Sequence, residues 1–282
     1  MPGTTTQAAQ NVVALQASLL GLGFASTGGL GQPVNGSRNE IWQCHGYDEL
    51  GQPVMLYVKL GLPTRSMLVE ALAAQIAAAI GLKSPPAYLC QVQPHHVGRP
   101  RGERMLVFAS AAAGERGLAR PLRNLETLLS ILSATKVADL SCVFDEWIGN
   151  DVRSPSDILI CPEQGPIFID HEAALPPGID PAAALTNWLA GRLLEGLDTK
   201  ERKHLLDRLR RRSAALHRLR LDDPPGVLAV VQGGSALYAE LVLFLQQRLE
   251  HLDRLLSERA LPEQRYLALA PNVPPKTPHA TL

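Results

Sequence analysis

The sequence predicts an α+β chain in two lobes, a small sheet-rich part followed by a mainly helical one, and three observations predict it. Between residues 40 and 108, short apolar runs of strand length alternate with turn-rich segments and a single stretch of helical period. From about residue 124 the apolar spacing turns helical, and helices return from residue 181 through 259. Between these, two very short apolar runs at 158–161 and 166–169 flank the turn Pro162-Glu163-Gln164-Gly165, the pattern of a tight hairpin set among helices.

The elements follow in order. Residues 8–20 carry Val12, Val13, Leu15, Leu19 and Leu20 at mixed helical spacing and predict a short leading helix. The Gly-rich stretch 21–36 is expected to break regular structure. Apolar runs at 40–44 and 54–60, joined by the turn-rich segment 46–51, predict a β-hairpin with Lys59 near the end of its second strand. Residues 66–80 predict a mostly buried helix capped by Gly81. After Pro85-Pro86, two more strands are expected at 87–92 and 104–108 around a loop rich in Pro, Gly and His. Helices are expected at 125–133 and 136–148. The last dozen residues, with four prolines, read as a disordered tail. The organisation is thus a lead-in at 1–34, a sheet-rich lobe at 35–110, a helical lobe at 111–265 holding the hairpin region 150–170, and a tail at 266–282.

Composition bounds the function. The chain of 282 residues can bury a sizeable core, and its 27 basic residues balance 27 acidic ones, which argues against a strongly basic nucleic-acid binder. Cys44, Cys90, Cys142 and Cys161 lack Cys-x-x-Cys spacing and read as buried free thiols of a reducing cytoplasm. The polar start 1–10 has no signal-peptide pattern, and no window holds roughly 18 uninterrupted apolar residues. A cytoplasmic location without a membrane span is expected.

Chemistry concentrates at the hairpin. With strands of about four residues, Asp157 before the first and Asp170 after the second should finish side by side, and two carboxylates at one rigid end suit Mg²⁺ with substrate phosphates. Asp151, in the same loop, is a candidate base or positioning carboxylate for an attacking hydroxyl. Lys59 and Glu70 each stand alone in near-apolar elements, so the two are expected to meet, since a lone buried charge is costly. Asn35, Gly36 and Ser37 precede the first expected strand and are the candidate phosphate-covering loop, acting through backbone N–H groups.

In order along the chain, NGSRNEIWQC, PVMLYVKL, MLVEALAAQIAAAIGLKSPP, VFDEWIGNDVRSPSDILI and PIFIDHEAAL resemble the HipA-like kinases and, more distantly, the phosphoinositide-kinase branch of the protein-kinase-like fold. The resemblance implies a two-lobed protein-kinase-like fold and an ATP-dependent phosphotransferase that uses Mg²⁺. Lys59 and Glu70 become the phosphate-holding pair, and Asn150 to Asp157 the catalytic loop, with Asn150 and Asp151 as its candidate catalytic residues. Asp157 and Asp170 become the metal ligands, and Phe108 with Ala109 lie where adenine would be held. The family's Asp-Arg-His-x-x-Asn becomes Val152-Arg153-Ser154-Pro155-Ser156-Asp157 here: the aspartate stands one step early, at Asp151, and Asp157 replaces the asparagine. That slip keeps open a pseudokinase that binds nucleotide or a partner, and a nucleotidyl transferase using the same ATP site. The acceptor is expected to be a protein, and a regulatory protein partner is conceivable; nucleic acid is not expected.

Other features have simpler readings. His95-His96 read as solvated loop histidines, and the basic run 200–220 as a solvated helix over Leu205, Leu206, Leu209 and Leu216. Trp147 and Trp188 read as core, and 237–249 as a buried helix.

Overall fold

Strand alternation builds the first half of the molecule. In the computed structural model, which describes residues 22–37, 39–113, 119–221 and 226–262, the first six strands are β1 (Gly23–Thr27), β2 (Gln32–Val34), β3 (Glu40–Asp48), β4 (Pro53–Leu60), β5 (Ala87–Val92) and β6 (Met105–Ala111). Alternate residues of these strands, among them Leu56, Val58 and Leu60 of β4 and Cys90 and Val92 of β5, meet Ala25, Cys44 and Ala109 in one buried cluster. Their neighbours in sequence point the other way: Leu89 and Phe108 join a second, larger core with α1 (Thr64–Ala79). Each leucine, valine or phenylalanine fully buried in this way contributes about 1.5–3 kcal/mol.

The sheet is not the open one that a two-lobed kinase requires, and that expectation is corrected here. The strands run in the order β1-β5-β6-β4-β3, and β1 then pairs with β3, so five strands close into a barrel, with β2 added on the outer edge of β3. The α+β class stands; a two-lobed kinase fold is not shown. Closure depends on the length of β3, whose residues Glu40 to Tyr47 pair with β4 while Gly46, Tyr47 and Asp48 pair with Thr27, Ser26 and Ala25 of β1. Gly46 makes this approach possible: a Cβ there would lie 2.5 Å from the Ser26 carbonyl oxygen. Strands β1 and β2 occupy the Gly-rich stretch expected to be irregular. The leading helix expected at 8–20 and the tail at 266–282 lie outside the described residues.

The histidine loop is also better ordered than expected. His96 is half-buried, its Nδ1 lies 2.8 Å from Thr27 Oγ1, and its carbonyl accepts from Gly31 N–H.

Helix α1 is apolar on nearly all sides and is buried accordingly, with Glu70 one of its few polar residues. Beyond the short strand β7 (Arg120–Pro121), Asn124 caps α2 (Leu125–Ala134) by accepting from Thr127 N–H at 2.9 Å. Helix α3 (Ala138–Ile148) is buried over most of its length and ends at Gly149, whose φ of +63° reverses the chain toward the hairpin of β8 (Ile158–Cys161) and β9 (Gly165–Phe168). Around α3 pack α4 (Trp188–Leu194), α5 (Thr199–Ser213) and α6 (Gly234–Ala260). Trp147 is core, its indole N–H donating to the Leu245 carbonyl at 2.9 Å, and Trp188 is partly buried against the same core. The basic helix α5 buries Leu205, Leu206 and Leu209 and is stitched to its neighbours by Arg208–Asp139 at 2.8 Å and Arg210–Asp253 at 2.6 Å. All four cysteines are buried and free. Among the described residues, no single helix is long and apolar enough to cross a membrane.

Candidate functional site

Lys59 is the centre of the site. The register of β4 puts its side chain on the outer face of the barrel, opposite Phe108 of β6, while Val58 and Leu60 point inward. It is 6% exposed, and Phe108 covers it with its ring centroid 5.9 Å from Nζ. Three carboxylates from two other regions reach the same ammonium group. Glu70 of α1 accepts from Nζ, Asp170 Oδ1 lies 2.5 Å away and Glu172 Oε2 2.7 Å away. Asn39 joins from the segment before β3, its Nδ2 donating to Glu172 Oε1 at 2.6 Å.

Charges this close alter one another. Burial would lower the Lys59 pKa, but Glu70, Asp170 and Glu172 outweigh it and raise it, so the ammonium form persists. Burial pushes the Glu70 carboxyl up to about 7, against the opposing pull of Lys59. Burial would also raise Glu172, yet hydrogen bonds from Glu70, Lys59 and Asn39 bring it down to about 2.

The hairpin explains how Asp170 arrives. Ile158 pairs with Phe168, so Asp157 stands opposite Ile169, whose N–H donates to the Asp157 carbonyl at 3.0 Å. Asp170 lies one residue past that pair with φ of +57°, a left-handed conformation that costs a residue with a Cβ roughly 1–2 kcal/mol. Its neighbours hold it there. Arg153 Nη1 donates to the Ile169 carbonyl at 2.7 Å, and His171 N–H donates to Glu70 Oε2 at 2.7 Å. Arg153 is itself buried and forked on Asp145 of α3, with Nη2 at 3.0 Å from Oδ1, and the same Nη2 lies 2.9 Å from His171 Nδ1. Arginine has no lone pair to offer, so His171 accepts at Nδ1 and carries its proton on Nε2. Burial first, then Arg153 and Lys59, hold the imidazole well below its usual pKa, and it is neutral.

The other expected site residues fall as follows. Asp157 closes a short 3₁₀ turn, where its carboxylate accepts from Ser154 N–H at 2.8 Å, Ser154 Oγ at 3.0 Å and Ser156 Oγ at 3.2 Å. The two hairpin aspartates therefore finish on adjacent backbone, but Asp157 is engaged by serines and Asp170 by Lys59. Asn150 is buried, with its Nδ2 3.4 Å from Asp145 Oδ1. Asp151 is exposed, as is Val152 beside it. Asn35 and Gly36 form the exposed turn between β2 and β3, and Ser37 Oγ donates to the Asn39 carbonyl. Ala109 is fully buried in the barrel interior, so its side chain faces away from Lys59.

Glu172, Asn39, Arg153 and Asp145 are the residues that sequence reasoning missed. A carboxylate two residues beyond Asp170, and the adjacent acidic pair Asp145-Glu146 set among the apolar residues of 142–148, are the signals that point to two of them. Ligating oxygens of Glu70, Asp170 and Glu172 lie within 4.8 Å of one another, and this all-oxygen set suits a hard divalent cation. Asp170 and Glu172 are partly exposed, which gives that face access to solvent. No family model and no curated protein matches the chain.

Proposed function

We propose that the protein is an ATP-dependent phosphotransferase, with Lys59 holding nucleotide phosphate and Asp170 and Glu172 holding Mg²⁺. The observation that carries this reading is the surplus of carboxylates: three converge on one buried lysine, and two of the three are open to solvent. A cation bound there would offset charge on the phosphates. Glu70 orients Lys59. The acceptor hydroxyl takes the γ-phosphoryl group, ADP leaves, and the hydroxyl proton passes to a carboxylate, for which the exposed Asp151 is the candidate. The HipA-like residue order supports the same reading, as does a cytoplasmic setting for four buried free thiols. We place a protein hydroxyl as acceptor and a protein as regulatory partner.

A second reading is favoured by a specific observation. Val152, 49% exposed, stands where the family's aspartate belongs, and Asp157 is occupied by Ser154 and Ser156. Both point to a module that binds nucleotide without efficient transfer. Incubation with γ-labelled ATP, with and without Mg²⁺, separates the two. A labelled product that requires Mg²⁺ and falls at least about a hundredfold in Lys59→Ala and Asp170→Asn supports transfer. Thermal stabilisation by Mg–ATP without product supports the binding module. Label from α- but not γ-labelled ATP indicates nucleotidyl transfer, and no stabilisation and no product overturns all three.

A further inference from the structure

We infer that Arg153 is the positioning residue of the Lys59 cluster, a clamp that sets Asp170 in its left-handed conformation by gripping the chain on both sides of it. The inference rests on the reading above only in taking Asp170 as a ligand; the clamp itself is a matter of geometry. Three observations carry it. Asp170 is one of three non-glycine residues with positive φ among the described residues, a conformation that contacts on either side of it can fix. Arg153 supplies both by bonding the Ile169 carbonyl with Nη1 at 2.7 Å and His171 Nδ1 with Nη2 at 2.9 Å, the residues immediately before and after. The guanidinium cannot swing away. It is 4% exposed, lies over the Phe168 ring and is forked on Asp145 through Nε at 3.2 Å to both oxygens and Nη2 at 3.0 Å to Oδ1.

The anchor has its own logic. Asp145 lies on α3, the most buried helix of the C-terminal half, so the clamp refers the position of Asp170 to the rigid core and not to the hairpin's own turn. The opposite side is closed by Glu70, which accepts from His171 N–H and at the same time from Lys59. Arg153 and Lys59 touch no common atom, yet the chain Asp145–Arg153–His171–Glu70–Lys59 is continuous. A planar fork is needed to hold two groups at fixed separation, which a lysine cannot do.

The test uses the full chain labelled with ¹⁵N at the side-chain nitrogens of its six lysines. The protected ammonium resonance of Lys59, identified by its loss in Lys59→Arg, reports the cluster without any metal or nucleotide. Arg153→Gln combined with Asp145→Asn removes the charge pair without leaving a lone buried charge. In that variant the Lys59 resonance is expected to disappear into solvent exchange, and Mn²⁺–ATP binding to fall about 10- to 100-fold. His171→Ala, which spares the Asp145–Arg153 pair, is expected to weaken protection partially and serves if the double variant does not fold. Arg248→Gln is the control, because it removes another buried arginine, one bonded to the carbonyls of Glu146, Pro181 and Ala183. It should lower stability and leave the Lys59 resonance in place. An unchanged resonance in Arg153→Gln/Asp145→Asn or in His171→Ala overturns the clamp, as does an equal change in Arg248→Gln. If the wild type binds no Mn²⁺–ATP, the phosphotransferase reading fails while the resonance still decides the clamp.

Discussion

Val58 and Lys59 are adjacent on β4, yet they face interiors of opposite kinds. Val58 enters a barrel lined by Ala25, Cys44, Leu56, Leu60, Cys90, Val92 and Ala109, where among the buried side chains nothing needs a specific partner. Lys59 enters a junction where Glu70, Asp145, Arg153 and His171 are all at least 96% buried and each is fixed by named hydrogen bonds. The barrel side tolerates any packing that conserves volume. The junction tolerates very little, because each buried charge there is offset only by groups at set distances.

The sharpest way to break this comparison is at Lys59 itself. Lys59→Ala leaves Glu70 buried beside Glu172 with no cation, and removing one partner of such a pair costs about 3–5 kcal/mol. Urea unfolding of the variant measures it; a loss under about 1 kcal/mol would mean that the junction is solvated and the contrast is false. On the barrel side, Leu56→Ala opens a cavity at a fully buried position and is expected to cost about 3 kcal/mol by the same measurement. The two differ in their remedy: Leu56→Met should recover most of the loss, whereas no single uncharged residue at 59 should. Gly46→Ala comes next. Its Cβ would press on the Ser26 carbonyl where β3 meets β1, so a loss of about 1–3 kcal/mol is expected, with faster hydrogen exchange at the β1–β3 amides. Retained protection there would show that the closure does not depend on the missing side chain.

The same contrast governs how much could be read from the chain. The hairpin of β3 and β4, helix α1 and the hairpin of β8 and β9 follow from period and turn chemistry, because each buries one face of a regular element. The meeting of Lys59 with Glu70 follows too, since a lone charge in each of two apolar elements has few other solutions. Barrel closure was hidden because β1 is five residues long, begins with a glycine and follows no clear alternation, and because partners as far apart as Ala25 and Asp48 leave no local mark. Glu172 and Arg153 were hidden for a different reason. Their roles depend on a positive φ at Asp170 and on a helix eight residues upstream, and neither is visible in spacing.

The smallest effect is one that is absent at neutral pH. Burial pushes the thiol of Cys44 up to about 11 and that of Cys90, which also faces Cys44, up to about 12. An unfolded thiol titrates near 8.5. The native state therefore keeps protons that the unfolded state sheds, so the thiols' contribution is whole below about pH 8.5 and is lost as pH rises through the two folded values. Urea unfolding at pH 7 and pH 10 should show stability falling more steeply in the wild type than in Cys44→Ala/Cys90→Ala, with the pH slopes of the two proteins compared so that Tyr88, whose pKa burial also raises, cancels. Equal slopes, or rapid labelling of both thiols by a disulfide reagent in the folded protein at pH 8, would mean that hydroxide and water reach the barrel interior. In that case Val58 and Lys59 would no longer face different solvents, and the rigidity of the junction would have to come from Arg153 and Asp145 without support from the closed barrel behind β4.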